Sequence, residues 1–236
     1  MTQLKALVAA MTALAMAGPL HAQDSTDTRP TVAVMYFTDG AIGKAHDDLA
    51  PLSGGISDMM ITDLSANTKI RVVERDNLKK LMDEQNLSTG GRVDQETAVK
   101  VGKLLGVHHM IFGGFVTDGR GTMRLDARAV NVETSAIEHV ETVQGKQDDL
   151  MSLIDQLATK MNGGMNLPEL PKTVREASAA EAKRVPFETA MLYSRALAAN
   201  DAGNKDQAVE LLQRSLKSFP DYAPAQRELA KLNGGQ

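Results

Sequence analysis

The sequence predicts an α/β fold: a mixed sheet with an antiparallel meander, flanked by helices and followed by a small all-α, repeat-like segment. Residues 31–38 (TVAVMYFT) are almost continuously apolar, which is typical of a strand buried on both faces. Residues 69–87 change abruptly from a β-branched run to a charged amphipathic run, which indicates a strand leading into a helix. From residue 107 the apolar period changes from helical to two, which indicates the meander.

The composition allows a core of ordinary size and narrows the class of protein. Of the 236 residues, 42% are apolar but only 3% are aromatic and none is Trp, so the core consists of aliphatic side chains and Met. The net charge is −4 and both signs are interspersed, so we expect no nucleic-acid partner. Because the chain has no Cys, we expect neither a disulfide nor a lipid-modified N-terminal cysteine.

The N-terminus has the pattern of a secretory signal peptide. Lys5 precedes the apolar run at residues 6–17, and small residues follow it. The run is shorter than the roughly 20 apolar residues that a membrane-spanning helix needs. A buried N-terminal helix is the alternative, which the polar segment 23–30 disfavours. We therefore predict a signal peptide over residues 1–22, cleavage after Ala22 and a periplasmic location.

The first half of the predicted α/β domain (residues 31–162) alternates strands and helices. Apolar residues at three- and four-residue spacing predict a helix over 49–65. Near its start, residues 53–55 (SGG) are either a turn whose amides face an anion or a flexible first turn, and the absence of a phosphate motif favours the second. The strand over 69–74 is expected to be central in the sheet.

Local signals place the next two helices. Asp76 is the expected N-cap of a helix over 76–85, and residues 88–91 interrupt the chain. Asp94 is the expected N-cap of a second helix, which ends at Gly106.

The meander consists of strands over 107–117, 122–132 and 136–146. Residues 118–121 (DGRG) form a strong hairpin signal between the first two. Along the second strand, Arg124 and Arg128 face one side, together with Asp126, while apolar residues face the other. A helix over 147–161 then closes the domain.

The C-terminal part is predicted to be a linker (163–185) followed by helices (186–232). The helices resemble a tetratricopeptide repeat, through Gly203, Ala208, Leu212, Leu216 and Pro220. Arg195 and Lys205 depart from the pattern, and a plain helical hairpin is the alternative. Because only one repeat plus one further helix is present, this segment has to dock on the first domain, pair with another copy or receive a partner.

The sequence contains no arrangement typical of catalysis. It has no metal-binding motif, phosphate-binding loop, dinucleotide turn or nucleophile elbow, so we predict no catalytic, cofactor-binding or metal-binding residue. His108 and His109 are adjacent on a strand and point to opposite faces. Asp58 and Asp63 are interpreted as part of solvated helix faces. Glu74 and Arg75 follow the predicted central strand, where sites of α/β sheets collect, but a structural ion pair between them is favoured.

The order of these segments resembles the curli production assembly/transport component (CsgG) family. The resemblance rests on VAVMYF (32–37), GISDMMITDL (55–64), RVVERDNLKKLMDEQNL (71–87), AVKVGKLLGVHHMIFGGFVT (98–117) and RLDARAVNVETSAIEHVETVQG (124–145). The same domain shape occurs in the TolB N-terminal domain and in lipoprotein activators of penicillin-binding proteins.

Two departures define what the resemblance implies. Curli channels carry a lipid-anchored Cys and long amphipathic hairpin insertions that form the pore. This chain has no Cys, residues 117–122 form a tight turn, and Gly145 leads directly into a helix. The resemblance therefore implies the periplasmic domain without the pore.

Together these observations predict a soluble, non-catalytic, periplasmic protein-binding or assembly factor in envelope biogenesis or secretion. Its expected partners are other envelope proteins or further copies of itself. The expected contact residues are Tyr193, Asn200 and Gln207 on the helices, and Arg124 and Arg128 on the sheet. The alternatives are an oligomeric outer-membrane secretion channel component, and an enzyme with a site near Glu74.

Overall fold

A computed structural model describes residues 27–40, 44–85 and 93–234. The predicted signal peptide, its cleavage after Ala22 and the predicted break at 88–91 lie outside these residues.

The described chain forms one mixed sheet with helices on both faces, as the sequence predicts. The elements are β1 (Thr31–Val34), β2 (Thr38–Asp39), α1 (Lys44–Leu49), α2 (Leu52–Ser65), β3 (Arg71–Val72), α3 (Arg75–Glu84), α4 (Gln95–Leu105), β4 (His109–Thr117), β5 (Thr122–Asn131), β6 (Ile137–Lys146), a 3₁₀ turn (Gln147–Asp149), α5 (Leu150–Gly164), α6 (Lys172–Ala182), α7 (Phe187–Asp201), α8 (Lys205–Ser218) and α9 (Ala223–Gly234).

The strand order is β3-β1-β4-β5-β6, with β2 paired to β4. β1 is parallel to both β3 and β4, whereas β4, β5 and β6 form the predicted antiparallel meander. The expectation of a central strand at 69–74 is therefore wrong, because β3 is a two-residue edge strand. Its apolar neighbours misled the prediction: Ile70 and Val73 contribute to cores on opposite sides of the sheet.

The first predicted strand is divided in two. β1 and β2 both pair with β4, but residues 35–37 between them leave the regular ladder. The predicted burial on both faces is confirmed, since Val32 and Val34 belong to one core and Ala33 and Met35 to the other. Helix α1 lies largely within the polar, Gly-containing segment 39–48, for which the sequence predicts a loop.

Helix α2 shows why Gly55 is present. Residues 53–55 lie in the first turn of a regular helix that begins at Leu52, where the favoured interpretation places them, and they do not form an anion-binding turn before it. A Cβ on Gly55 would lie 1.9 Å from Oγ and 2.5 Å from Cβ of Ser194 in α7. Gly55 therefore allows α2 and α7 to approach closely.

Of the two N-caps predicted from the sequence, Asp94 and Asp76, the structure has one. Asp94 caps α4 as predicted, since its Oδ1 accepts a hydrogen bond from the Thr97 amide at 2.8 Å, and Gly106 ends the helix at φ 65°. In α3 the predicted cap is wrong: Glu74, not Asp76, occupies the N-cap position, and it makes no side-chain capping bond.

Two hydrophobic cores lie on the two faces of the sheet. The smaller core packs α3 and α4 against one face and includes Met110, Phe112 and Val130. The larger core covers the other face with α2 and α5 and continues without a break into α7 and α8. The C-terminal helices therefore dock on the α/β part, which is one of the three arrangements expected from the sequence.

The predicted linker contains an ordered helix, α6, which packs beside α5. Ser178 of α6 donates a hydrogen bond to Asp155 of α5 at 3.0 Å. The domain limits 31–162, 163–185 and 186–232 remain predictions. Within the described ranges, no helix is long and apolar enough to cross a membrane.

Candidate functional site

The outward face of the meander is the most open part of the sheet. Helices α3 and α4 cover this face only around the start of β4 and the end of β5. The remaining outward side chains form what we call the sheet surface: Val116, Arg124, Asp126, Arg128, Val140 and Thr142.

The alternation along β5 positions these groups as the sequence predicts. Met123, Leu125, Ala127 and Ala129 are buried, whereas Arg124 and Arg128 between them are exposed. Since side chains alternate along a strand, burying one set against α2 and α5 holds the charged set outward.

The acidic member of the sheet surface is engaged by its neighbours. Asp126 Oδ1 accepts hydrogen bonds from Arg124 Nη2 at 2.7 Å and from the Thr142 hydroxyl at 2.6 Å. This arrangement holds Arg124 along the sheet and partly neutralises it.

Arg128 differs from Arg124 because it has no hydrogen bond or ion pair with any described residue. Its cross-strand neighbour is Val140, which is 54% exposed. Val116, which is 39% exposed, is the cross-strand neighbour of Arg124 on β4. An available guanidinium beside an exposed apolar group is the chemistry of protein interfaces, where Arg is enriched.

Strand β6 adds backbone groups to this surface. It has ten residues and forms the edge of the sheet, pairing only with β5 within the described part of the chain. A bulge at Ala129/Val130 shifts the register and places Glu138 outside the regular pairing. Ile137, at the start of β6, is 41% exposed. An exposed edge offers amide and carbonyl groups to a strand of a partner protein.

The helical contact residues occupy different environments and lie on the opposite side of the sheet. Gln207 is exposed and Asn200 is half-buried, with its amide 3.5 Å from Glu228. Tyr193 is buried, contrary to its assignment as a surface residue, and its hydroxyl donates to Asp58 at 2.5 Å. The structure therefore does not bring the two predicted contact surfaces together.

Arg75 is the centre of a buried polar cluster, rather than the partner of Glu74. Its side chain is 2% exposed and reaches the end of α7, where Nη1 donates to Asp201 at 2.7 Å. The same nitrogen donates to the Tyr36 hydroxyl at 2.9 Å. Asp76 and Asp58 lie 3.1 and 3.6 Å away, so the predicted Glu74–Arg75 pair is replaced by three aspartates.

The charges in this cluster are mutually dependent. Burial acts to lower the pKa of Arg75, but the neighbouring Tyr36 and Asp201 outweigh it and raise that pKa. Burial raises the pKa of Tyr36 to about 12. Burial also raises the pKa of Asp58, which is therefore not on a solvated face as predicted. Arg75 thus ties α3 to α7 and stays charged.

The described histidines form pairs rather than metal sites. Nδ1 of His109 lies 2.5 Å from Glu138, Nδ1 of His46 lies 3.0 Å from Asp39, and His108 contacts Thr31. Over residues 27–40, 44–85 and 93–234, no group of three or more His, Asp or Glu side chains could hold a metal ion.

Comparison with known families finds a match that includes the first four strands of this sheet. The model of the family described as curli production assembly/transport component CsgG matches residues 14–119. The resemblance to CsgG is confirmed over this region. The CsgG-matching region is a little under half of the 236 residues and ends in the β4–β5 turn, so it includes β1 to β4 with their helices.

The chain is also similar to several solved structures. The LpoB C-terminal domain from Salmonella enterica is 13% identical with a TM-score of 0.35, covering 50% of this chain and 82% of that one. Lipoprotein GNA1162 from Neisseria meningitidis is 11% identical with a TM-score of 0.41, and the match covers 49% of this chain and 79% of that one. TolB from Acinetobacter baumannii is 10% identical with a TM-score of 0.38, and the match covers 59% of this chain and 29% of that one. No curated protein matches significantly.

The charged residues of the sheet surface are predictable from the sequence, whereas its exposed apolar residues and the Arg75 cluster are not. The exposure of Val140 depends on which helices cover the sheet, and local sequence patterns do not predict the placement of those helices. Arg75 and Asp201 are 126 residues apart in sequence. The ER dipeptide marked the right position, but its partners depend on the packing of α7.

Proposed function

We propose that this chain is a non-catalytic protein-binding or assembly factor of the bacterial envelope, exported to the periplasm as a soluble protein. The CsgG match supports a role in envelope assembly, and the sheet surface supports binding of a protein. The observation that carries the proposal is Arg128, a cation with no described partner beside the exposed side chain of Val140.

The sheet surface suggests how a partner binds. A polypeptide lying across β5 and β6 would cover Val116 and Val140 and place an acidic side chain at Arg128. Its backbone would also be able to pair with the free edge of β6. Because Arg124 is already engaged by Asp126, Arg128 carries most of the charge recognition.

The test is crosslinking in intact cells, followed by affinity recovery of the full-length chain. We expect one or a few envelope proteins, or further copies of this chain, to be recovered with the wild type. Arg128→Glu should lower recovery roughly tenfold, which is the effect of losing one central Arg contact.

Lys80→Glu is the matched control, because it makes the same charge change at an exposed position of α3. Its recovery should equal that of the wild type. Equal recovery with both variants would contradict binding at the sheet surface. Recovery of no protein at all would contradict the proposed function itself.

A further inference from the structure

A cavity of about 700 Å³ lies between α2, α6 and the start of α9, on the opposite side of the sheet from the sheet surface. Its size is that of sites for small organic ligands, which are roughly 300–1,000 Å³. Small residues on α6 leave this space open, since Ala177, Ser178 and Ala182 face it where larger side chains would fill it.

The cavity wall is mainly apolar. It is lined by Met59 and Ile61 from α2, Met151 from α5, and Val174 from α6. The ring of Tyr222 is buried at the same site. A hydrocarbon group of a ligand would therefore be buried against apolar side chains.

The charged groups at the cavity are mostly acidic. Asp63, Glu74 and Glu181 line it, whereas Arg227 is the one cation among its described lining residues. Arg227 is already engaged, because its Nη2 donates to the Thr62 hydroxyl at 3.2 Å. With its carboxylates ionised, the cavity carries an excess of negative charge.

Asp63 is the group that points to a ligand. Asp63 is half-buried and lines both this cavity and a small adjoining one. Its Oδ2 is fully buried without a hydrogen-bond partner in the described chain. A buried carboxylate oxygen of this kind is costly unless a donor reaches it.

We propose that this cavity is a binding site for an organic cation with an apolar body, such as a primary amine on a hydrocarbon chain. The ammonium group donates to Asp63, and the hydrocarbon lies against Met59, Met151 and Val174. This site is independent of the sheet surface, so either proposal can fail without the other.

The protonation of Asp63 provides a second observable. Burial, together with the charges of Asp155 and Glu181, raises the pKa of Asp63 to about 8. The other charged groups around Asp63 in the described ranges are Glu74 and Arg227, which line the same cavity, and Arg175 of α6, which lines an adjoining small cavity. A bound ammonium group would displace the proton of the Asp63 carboxyl. The affinity of the cavity for the ammonium ligand should therefore rise about tenfold per pH unit between pH 6 and 7.5.

The experiment uses the full chain labelled with ¹³C at the methionine methyl groups, titrated with octylammonium chloride and, separately, with 1-octanol. We expect saturable shifts at Met59 and Met151, with none at Met82 and Met110, which belong to the other core. Octylammonium affinity should follow pH as stated, whereas octanol affinity should not.

Asp63→Asn should weaken octylammonium at least tenfold at pH 8 and change octanol less than twofold. Asp83→Asn, at an exposed position of α3, is the matched control and should change neither. If Asp63→Asn does not fold, Glu181→Gln on the exposed side of α6 should weaken octylammonium severalfold. Absence of saturation, shifts at all four methionines, or equal effects of Asp63→Asn on both probes would each overturn the proposal.

Discussion

At the scale of single residues, Arg75 is the centre of a buried polar cluster. Its guanidinium is buried where α2, α3 and α7 meet and is held by Asp201, Asp58 and the Tyr36 hydroxyl. A buried charge is tolerated only when its partners remain, because each charge compensates the desolvation of the others. Arg75 therefore acts as a structural joint between the α/β part and the C-terminal helices.

Arg75→Met should lower the free energy of unfolding by about 3–5 kcal/mol, since Asp58 and Asp201 would be left close together without their cation. The measurement is the urea midpoint of the full chain. Arg214→Met, at an exposed position of α8, should change it by less than about 0.5 kcal/mol. Equal losses of unfolding free energy in the two variants would contradict the role of Arg75 as a structural joint.

Asp63 gives the stability of the chain a pH dependence with a definite sign. Its carboxyl keeps a proton up to about pH 8 in the folded state, but in the unfolded state it loses that proton near pH 4. Between these values Asp63 binds fewer protons in the unfolded state, so its contribution to the free energy of unfolding falls as pH rises.

Asp63→Asn should therefore become more stable than the wild type as pH rises from 4 to 8, by at most about 1.4 kcal/mol per pH unit. Urea titrations of both proteins across this range measure the difference. Asp83→Asn should show no such trend, because Asp83 is exposed. A constant difference between Asp63→Asn and wild type would contradict burial of this carboxyl.

Residue environments were predictable from the sequence where they depend on local periodicity. The outward positions of Arg124 and Arg128 follow from strand alternation, and the Asp94 cap follows from local hydrogen bonding. Asp58 and Asp63 also lie on a helix with a regular pattern, but their burial depends on α6 and α7, which come more than a hundred residues later.

At the scale of elements, helices α2 and α7 approach each other closely at Gly55 and Ser194. A Cβ on Gly55 would lie 2.5 Å from Cβ of Ser194 and 3.3 Å from its Cα. Neither atom moves when the Ser194 side chain rotates, so a larger residue at position 55 forces the helices apart.

Gly55→Ala should destabilise the chain by about 1–2 kcal/mol, because overpacking outweighs the roughly 1 kcal/mol gained in helix propensity. Gly163→Ala in α5 is the control: a Cβ there meets no atom within 4 Å, so that variant should be more stable than the wild type. Thermal denaturation of both variants separates the two effects. Stabilisation by Gly55→Ala would mean that α7 is not packed on α2 as described.

The elements themselves were largely predictable, and the errors have a common physical cause. The sequence predicts the meander, α2, α4 and the C-terminal helices, since each has a regular apolar period. It misplaces β3 at the centre of the sheet. Helices bury the apolar residues around this short edge strand. A central strand has the same run of apolar residues in its sequence, so the sequence pattern does not distinguish the two positions.

At the scale of the whole molecule, one continuous core joins the sheet to the C-terminal helices. We therefore expect cooperative unfolding, with amides of β5 and α8 losing protection from hydrogen exchange at the same urea concentration. Mass spectrometry of exchanged peptides measures this. Earlier exposure of α7 to α9 would favour the separate repeat-like domain that the sequence predicts.

The central claim is that the sheet surface binds a protein, and site-specific photo-crosslinking in intact cells tests it most directly. A photoreactive residue at Val140, 54% exposed on β6, should form a discrete crosslinked product with another protein or another copy of this chain. The same residue at Leu104, 49% exposed on α4, should not. Crosslinking at Leu104 alone, or at neither position, would contradict the claim.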